Sequence, residues 1–115
     1  MTITFEEFEK IDLRVGTIIR AEVNAKARKP AYKIWVDFGE EIGIKQSSAQ
    51  LTVHYTPEGL IGRRVLCVVN FEPRLIAGFK SEILITGFED ANGGIVLASI
   101  DEKAAKDLPN GVKIS

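Results

Sequence analysis

A small all-β barrel carrying short helices is the fold that this sequence predicts. Runs with period-two apolar alternation recur along most of the chain, separated by breaks rich in glycine, proline or asparagine. The one long helical pattern falls between the third and fourth runs. The 115 residues suit one domain, 1–115, with a core of its own.

Thr4-Phe5-Glu6-Glu7 reads as a capping box, so a helix over about residues 5–10 opens the chain. Ile3 and Phe8 are spaced for a hydrophobic staple. Phe5 and Phe8 share one face, with Ile11 just beyond, and two phenylalanines on so short a helix need a cover. From Leu13 the period becomes two. Leu13, Val15, Thr17, Ile19, Ala21 and Val23 alternate with Arg14, Gly16, Ile18, Arg20 and Glu22 in a long first strand. Gly16 predicts a bulge or bend there, and Ile18 on the polar side predicts cover on both faces near the middle.

A basic loop, "NAKARKP", precedes the second strand at residues 32–38, where Tyr32, Ile34, Val36 and Phe38 face one way and Lys33, Trp35 and Asp37 the other. "GEE" turns into a third strand, 42–47, with Ile42, Ile44 and Gln46 in phase. That phase points Gln46 toward the barrel's end and Lys45 onto the face beside Trp35. Ser47 with Gln50 matches a second capping box, so 48–62 reads as helix in two pieces, restarted at Thr56-Pro57. Strand four spans 63–70, "FEPRLIAGF" is a loop, strand five spans 80–87, and a sixth, 95–99, follows the Asn92-Gly93-Gly94 turn. The tail from Asp101 offers at most one helical turn. The order β-β-β-α-β-β is that of the OB-fold, a partly open Greek-key barrel, here with an N-terminal helix and a C-terminal extension.

Composition excludes several classes. An apolar share of 45% and a charged share of 27% are those of a soluble domain, and no apolar run reaches membrane-spanning length. The acidic start is unlike a signal peptide, and the single Cys67 lies in an apolar run, so a cytoplasmic location is expected, with no membrane insertion. Charge is unevenly placed. Residues 14–81 hold eleven Lys/Arg against six Asp/Glu, and the two ends hold four against ten. The middle segment is therefore the part suited to face anions.

OB-folds bind on the face of strands two and three and with the 1–2 and 4–5 loops. The first loop supplies Lys26, Arg28 and Lys29, with Lys33 just inside strand two. The second supplies Arg74 and Lys80 around Leu75, Ile76 and Phe79, ending at Ser81. Trp35 lies between them, beside Lys45, Gln46 and Ser48. An aromatic among cations suits base stacking with phosphate neutralisation, and equally a surface covered by a dimer partner. The apolar loop likewise fits self-association or a pocket for an apolar peptide or base. Nothing calls for catalysis, a cofactor or a metal. His54 is the only histidine and no ligand cluster surrounds it, so a structural role is expected.

The segments "IDLRVGTIIRAE", "ARKPAYKIWVDFG", "GIKQSSAQL", "GRRVLCVVNFEPRLIAGFKSEILITG" and "PNGVKI" together resemble the CsaA family of protein-secretion chaperones, over nearly the whole chain. That family falls in a wider group of tRNA-binding domains, with the C-terminal module of some methionyl-tRNA synthetases and the EMAP-like proteins. The resemblance implies an OB-fold homodimer with Phe5 and Phe8 at the interface, binding unfolded or preprotein polypeptide in support of export. The alternative partner it implies is tRNA. One departure bears on that choice. The tRNA-binding relatives follow the loop serine with a small residue, glycine and methionine, whereas Ser81 is followed here by Glu82, Ile83 and Leu84. An acidic Glu82 beside a phosphate path counts against tRNA.

Overall fold

The structure, a computed structural model, describes all 115 residues. The opening helix α1 (Phe5–Glu9) carries the predicted capping box, with Glu7 N donating to Thr4 Oγ1 at 3.1 Å and Thr4 N donating to Glu7 Oε1 at 3.1 Å. It buries none of its residues.

The first strand, β1 (Leu13–Val23), is the centre of a five-stranded antiparallel sheet. On one side lie β2 (Tyr32–Asp37) and then β3 (Ile44–Ala49). After the short helix α2 (Pro57–Leu60), β4 (Arg64–Val68) pairs with the other side of β1. Two hairpin strands, β5 (Arg74–Ile76) and β6 (Phe79–Ser81), come next, and then β7 (Leu84–Ile85) pairs with β4 at the far end. A second hairpin, β8 (Gly87–Glu89) and β9 (Ile95–Leu97), follows. The sheet curls until its outer strands meet, Glu82 N donating to Gln46 O at 2.8 Å, which makes a nearly closed barrel of OB type. Because every pairing is antiparallel, β3 and β7 run in the same direction across this seam.

The predicted inward face of β2 holds. Tyr32, Ile34, Val36 and Phe38 are all buried, together with Ile18, Leu51, Leu60, Val65, Cys67, Ile83 and Ile85. The phase predicted for β1 does not. Ile18 pairs with Val36 and Arg20 with Trp35, so Ile19 is an extra, bulged residue turned outward. Gly16 is not the bulge. A Cβ on it would lie 2.5 Å from Val36 Cγ1 and 2.8 Å from Phe38 Cδ1, so glycine is there because the core packs onto the backbone. The inward set is therefore Gly16, Ile18 and, past the bulge, Ala21, which pairs with Ile34 and packs against the core. Leu13 and Val15 lie on the outer side, covered by the C-terminal segment at the start of β1, whereas the cover expected near the middle is absent, outward Ile19 being 43% exposed. Gly111 N donates to Val15 O at 2.8 Å and Ile114 N to Leu13 O at 2.8 Å, placing Leu108 and Val112 over Val15.

Two other expectations are corrected. Residues 48–56 are not helical. The third strand continues to Ala49, and helix appears only where Thr56 caps Pro57–Leu60, with Gly59 N donating to Thr56 Oγ1 at 3.1 Å. Ser47 does not cap it. That serine is buried opposite Ile34, where the β2 ladder outweighs a local capping pattern. The "loop" 71–79 is half hairpin, since Ala77 (φ 51°) and Gly78 (φ 78°) form the paired positive-φ turn that joins β5 to β6. Strand five is correspondingly broken into β6, β7 and β8.

Candidate ligand-binding face

Cross-strand register decides which side chains share the outer face of the barrel, because directly paired residues point the same way. Trp35 pairs with Gln46 on β3 and with Arg20 on β1. Trp35 Nε1 donates to Gln46 Oε1 at 3.2 Å, and Gln46 Nε2 donates to Lys80 O at 2.7 Å, tying β2, β3 and β6 together. The edge of Phe79 packs on Trp35, ring centroids 5.6 Å apart and planes at 80°. The Arg20 guanidinium lies 4.3 Å over the Trp35 ring and Lys33 Nζ 5.4 Å over Phe79. Glu22 holds Arg20, whose Nε donates to Glu22 Oε2 at 2.7 Å. Exposed cation–π contacts are worth only about 0.5–1 kcal/mol, so a ligand that stacks on Trp35 displaces Arg20 at small cost.

Lys33, Trp35, Gln46 and Phe79 therefore come together as expected from the sequence, with one exchange, while Lys80 joins them only through its carbonyl, its side chain having the phase of Leu75. Gln46 lies on the Trp35 face rather than at the barrel's end. Lys45 pairs with Val36, whose side chain is in the core, so it has the opposite phase and leaves this face. Arg20 is the residue that sequence reasoning missed. Its signal was the Ile18-Ile19 doublet, which places the bulge that rotates Arg20 onto Trp35.

The β5–β6 hairpin stands over the seam and separates two clefts that share Ser48 and Ile76. One, of about 460 Å³, is lined by Ser47, Ser48 and Ser81 on its floor and by Phe71, Ile83 and Leu84 among its walls. Its charged groups are Glu72, Glu82 and Arg74. The other, of about 550 Å³, is lined by Lys26, Arg28 and Lys29 with no acid. Ser48, Arg74, Ile76 and Ser81 thus line clefts, whereas Leu75 projects from the hairpin at 78% exposure. The Glu82 carboxylate is not a free charge on the rim, since Oε1 accepts from Gln46 N at 3.2 Å.

The other candidate chemistry is structural. His54 Nε2 lies 2.6 Å from Asp90 Oδ2, joining the segment before α2 to the β8–β9 turn. Asp90 is held below its ordinary range, first by that hydrogen bond and then by the Asn92 and Gly94 amides. Cys67 is fully buried, and loss of solvation pushes its thiol up to about 12, too high for a nucleophile. Phe5 and Phe8 stand on the outward α1, with Phe5 69% exposed.

A family model described as "Putative tRNA binding domain" matches residues 13–111. Among solved structures, the crystal structure of chaperone CsaA from Bacillus anthracis str. Ames superposes with a TM-score of 0.89 at 48% identity, covering 100% of both chains. The CsaA chaperone protein from Picrophilus torridus gives 0.88 at 40% identity, over 99% of this chain and 100% of that one. The methionine–tRNA ligase of Chlorobium chlorochromatii is 41% identical over 95 residues, which is 83% of this chain but 13% of the ligase. The chain spans only a small part of that relative's length.

Proposed function

The chain belongs to the tRNA-binding-domain family and, within it, to the CsaA type, and on that premise we propose that it is a non-catalytic binding protein for unfolded or preprotein polypeptide. It acts in the cytoplasm, in support of export, as a homodimer. The observation that carries this reading is the end-to-end similarity, at 48% identity, to a protein described as a chaperone. The chemistry of the hairpin supports it. Phe71 and Leu84 are exposed apolar residues on a cleft with polar groups at its floor and rim, and Leu75 projects from the hairpin beside it, as a site for extended chain requires. The test is Leu75→Ser. Leu75 is too exposed for the change to disturb folding by more than about 0.5 kcal/mol. Affinity for an unfolded preprotein should fall, with little dependence on salt, and unchanged affinity removes the hairpin from the site.

The homodimer is supported by α1, a helix of five residues that buries none of them. Helices so short have little stability of their own, and covering Phe5 and Phe8 in a second subunit supplies the missing packing.

A second reading, tRNA binding, is favoured by the cleft of Lys26, Arg28 and Lys29 beside the Trp35–Phe79 pair. It predicts steep weakening with salt as counterions are released, and loss of about two to three units of that slope when the three loop cations are replaced by alanine. A flat salt response disposes of it.

A further inference from the structure

We propose that the outward edge of β3, from Gln46 to Gln50, is a docking edge to which an extended polypeptide adds as a strand, taking the place that residues 81–82 hold in the free protein. The inference rests on the polypeptide-binding reading and deepens it by naming the mode of recognition.

In an antiparallel ladder, alternate residues direct their N–H and C=O groups to opposite neighbours. On β3 the residues turned away from β2 are Gln46, Ser48 and, one step past the strand, Gln50. Gln46 O accepts the one main-chain bond across the seam, from Glu82 N at 2.8 Å. The amides are met by side chains instead. Gln46 N donates to Glu82 Oε1 at 3.2 Å and Ser48 N to Ser81 Oγ at 3.1 Å. These two oxygens stand where a neighbouring strand would present carbonyls. The N–H and C=O of Gln50 have no protein partner.

Two clefts lie along this edge. The 460 Å³ cleft and a further one of about 350 Å³ share Ser48 and Leu84, and so lie end to end along the seam. The second is walled by Leu51, Leu84, Ile85 and Ile95. From Gln46 to Gln50 the edge is about 13 Å long, the span of an extended segment of about five residues.

Main-chain bonds to the edge give affinity without regard to sequence, while the groove selects apolar side chains at alternate positions. In the free protein Ser81 and Glu82 blunt the edge against pairing with stray strands. The ligand displaces them.

The test uses fluorescence anisotropy with a labelled peptide of about nine residues, alternating valine and threonine between terminal lysines. Two analogues are N-methylated at alternate residues, one in each register, which removes main-chain donors and leaves side chains unchanged. Methylation in one register should weaken binding about tenfold and in the other much less. Gln50→Pro removes the free edge amide, and the extended Ala49 before it tolerates proline, so affinity should fall several-fold at unchanged melting temperature. Ser81→Ala removes a competing acceptor and should tighten binding. If the parent peptide binds but neither methylation nor Gln50→Pro weakens it, the docking edge is wrong and the polypeptide-binding reading stands. If neither the peptide nor an unfolded protein binds, both fall.

Discussion

Gly16→Ala should destabilise the barrel although it adds only one methyl group. The new Cβ would lie 2.5 Å from Val36 Cγ1 and 2.8 Å from Phe38 Cδ1 and Cε1, where carbon atoms at rest lie about 3.5–4.0 Å apart. Neither neighbour can yield easily, because Val36 is 0% and Phe38 1% exposed. Overpacking of this kind costs about 1–3 kcal/mol. The opposing gain, from a less flexible unfolded chain, is about 0.4–1 kcal/mol. A net loss of about 1–2 kcal/mol follows, a fall in melting temperature of roughly 4–8 °C per kcal/mol or somewhat less for a chain of this length. Circular dichroism melts and urea titrations measure it. Val36→Ala in the same chain makes room for the methyl group, so the double variant should be more stable than the two separate losses added together. If Gly16→Ala melts at or above the parent temperature, the close packing of β2 on β1 is not why glycine occupies this position.

Asp90 is depressed below its ordinary value near 3.8, so its contribution to stability is complete above that pH and is lost as pH falls through the lower folded value. Asp90→Asn should therefore flatten the acid limb of a stability–pH curve, and an unchanged limb refutes the assignment. Cys67 should resist a thiol reagent at pH 8 in the folded protein and react fully once the chain is unfolded in guanidinium, whereas rapid labelling of the folded form contradicts its burial. Phe5→Ser with Phe8→Ser should convert the proposed dimer to a monomer by light scattering with the barrel's circular dichroism intact, and a dimeric mass in both parent and variant removes α1 from the interface.

The parts of the fold legible in the sequence are those whose pattern is set locally. Both faces of β2 read correctly because one faces a core and the other does not, and the α1 cap is a contact over three residues. The phase of β1 failed for a physical reason. One bulged residue, Ile19, reverses the alternation beyond it, and cover from residues 108–114 makes the outer side of Leu13 and Val15 look like a core face. Residues 48–56 misled because a serine and a glutamine three apart offer a cap, while pairing with β2 is decided by distant chain. The 77–78 turn escaped notice because alanine rarely takes positive φ. On the candidate face, charge and aromatic placement alone put Lys33, Trp35 and Phe79 near one another, as the structure does. A one-residue slip in phase exchanged the roles of Lys45 and Gln46, and Arg20, already on the polar side of β1, went unselected because its register with Trp35 is set by the bulge.

The central claim is that this barrel holds unfolded polypeptide. Its most direct test is a calorimetric titration with a reduced, carboxymethylated protein, run beside a titration with tRNA, each at low and at high salt. Saturable polypeptide binding that salt hardly weakens is expected. No heat with the unfolded polypeptide, together with tight and steeply salt-dependent binding of tRNA, would contradict it.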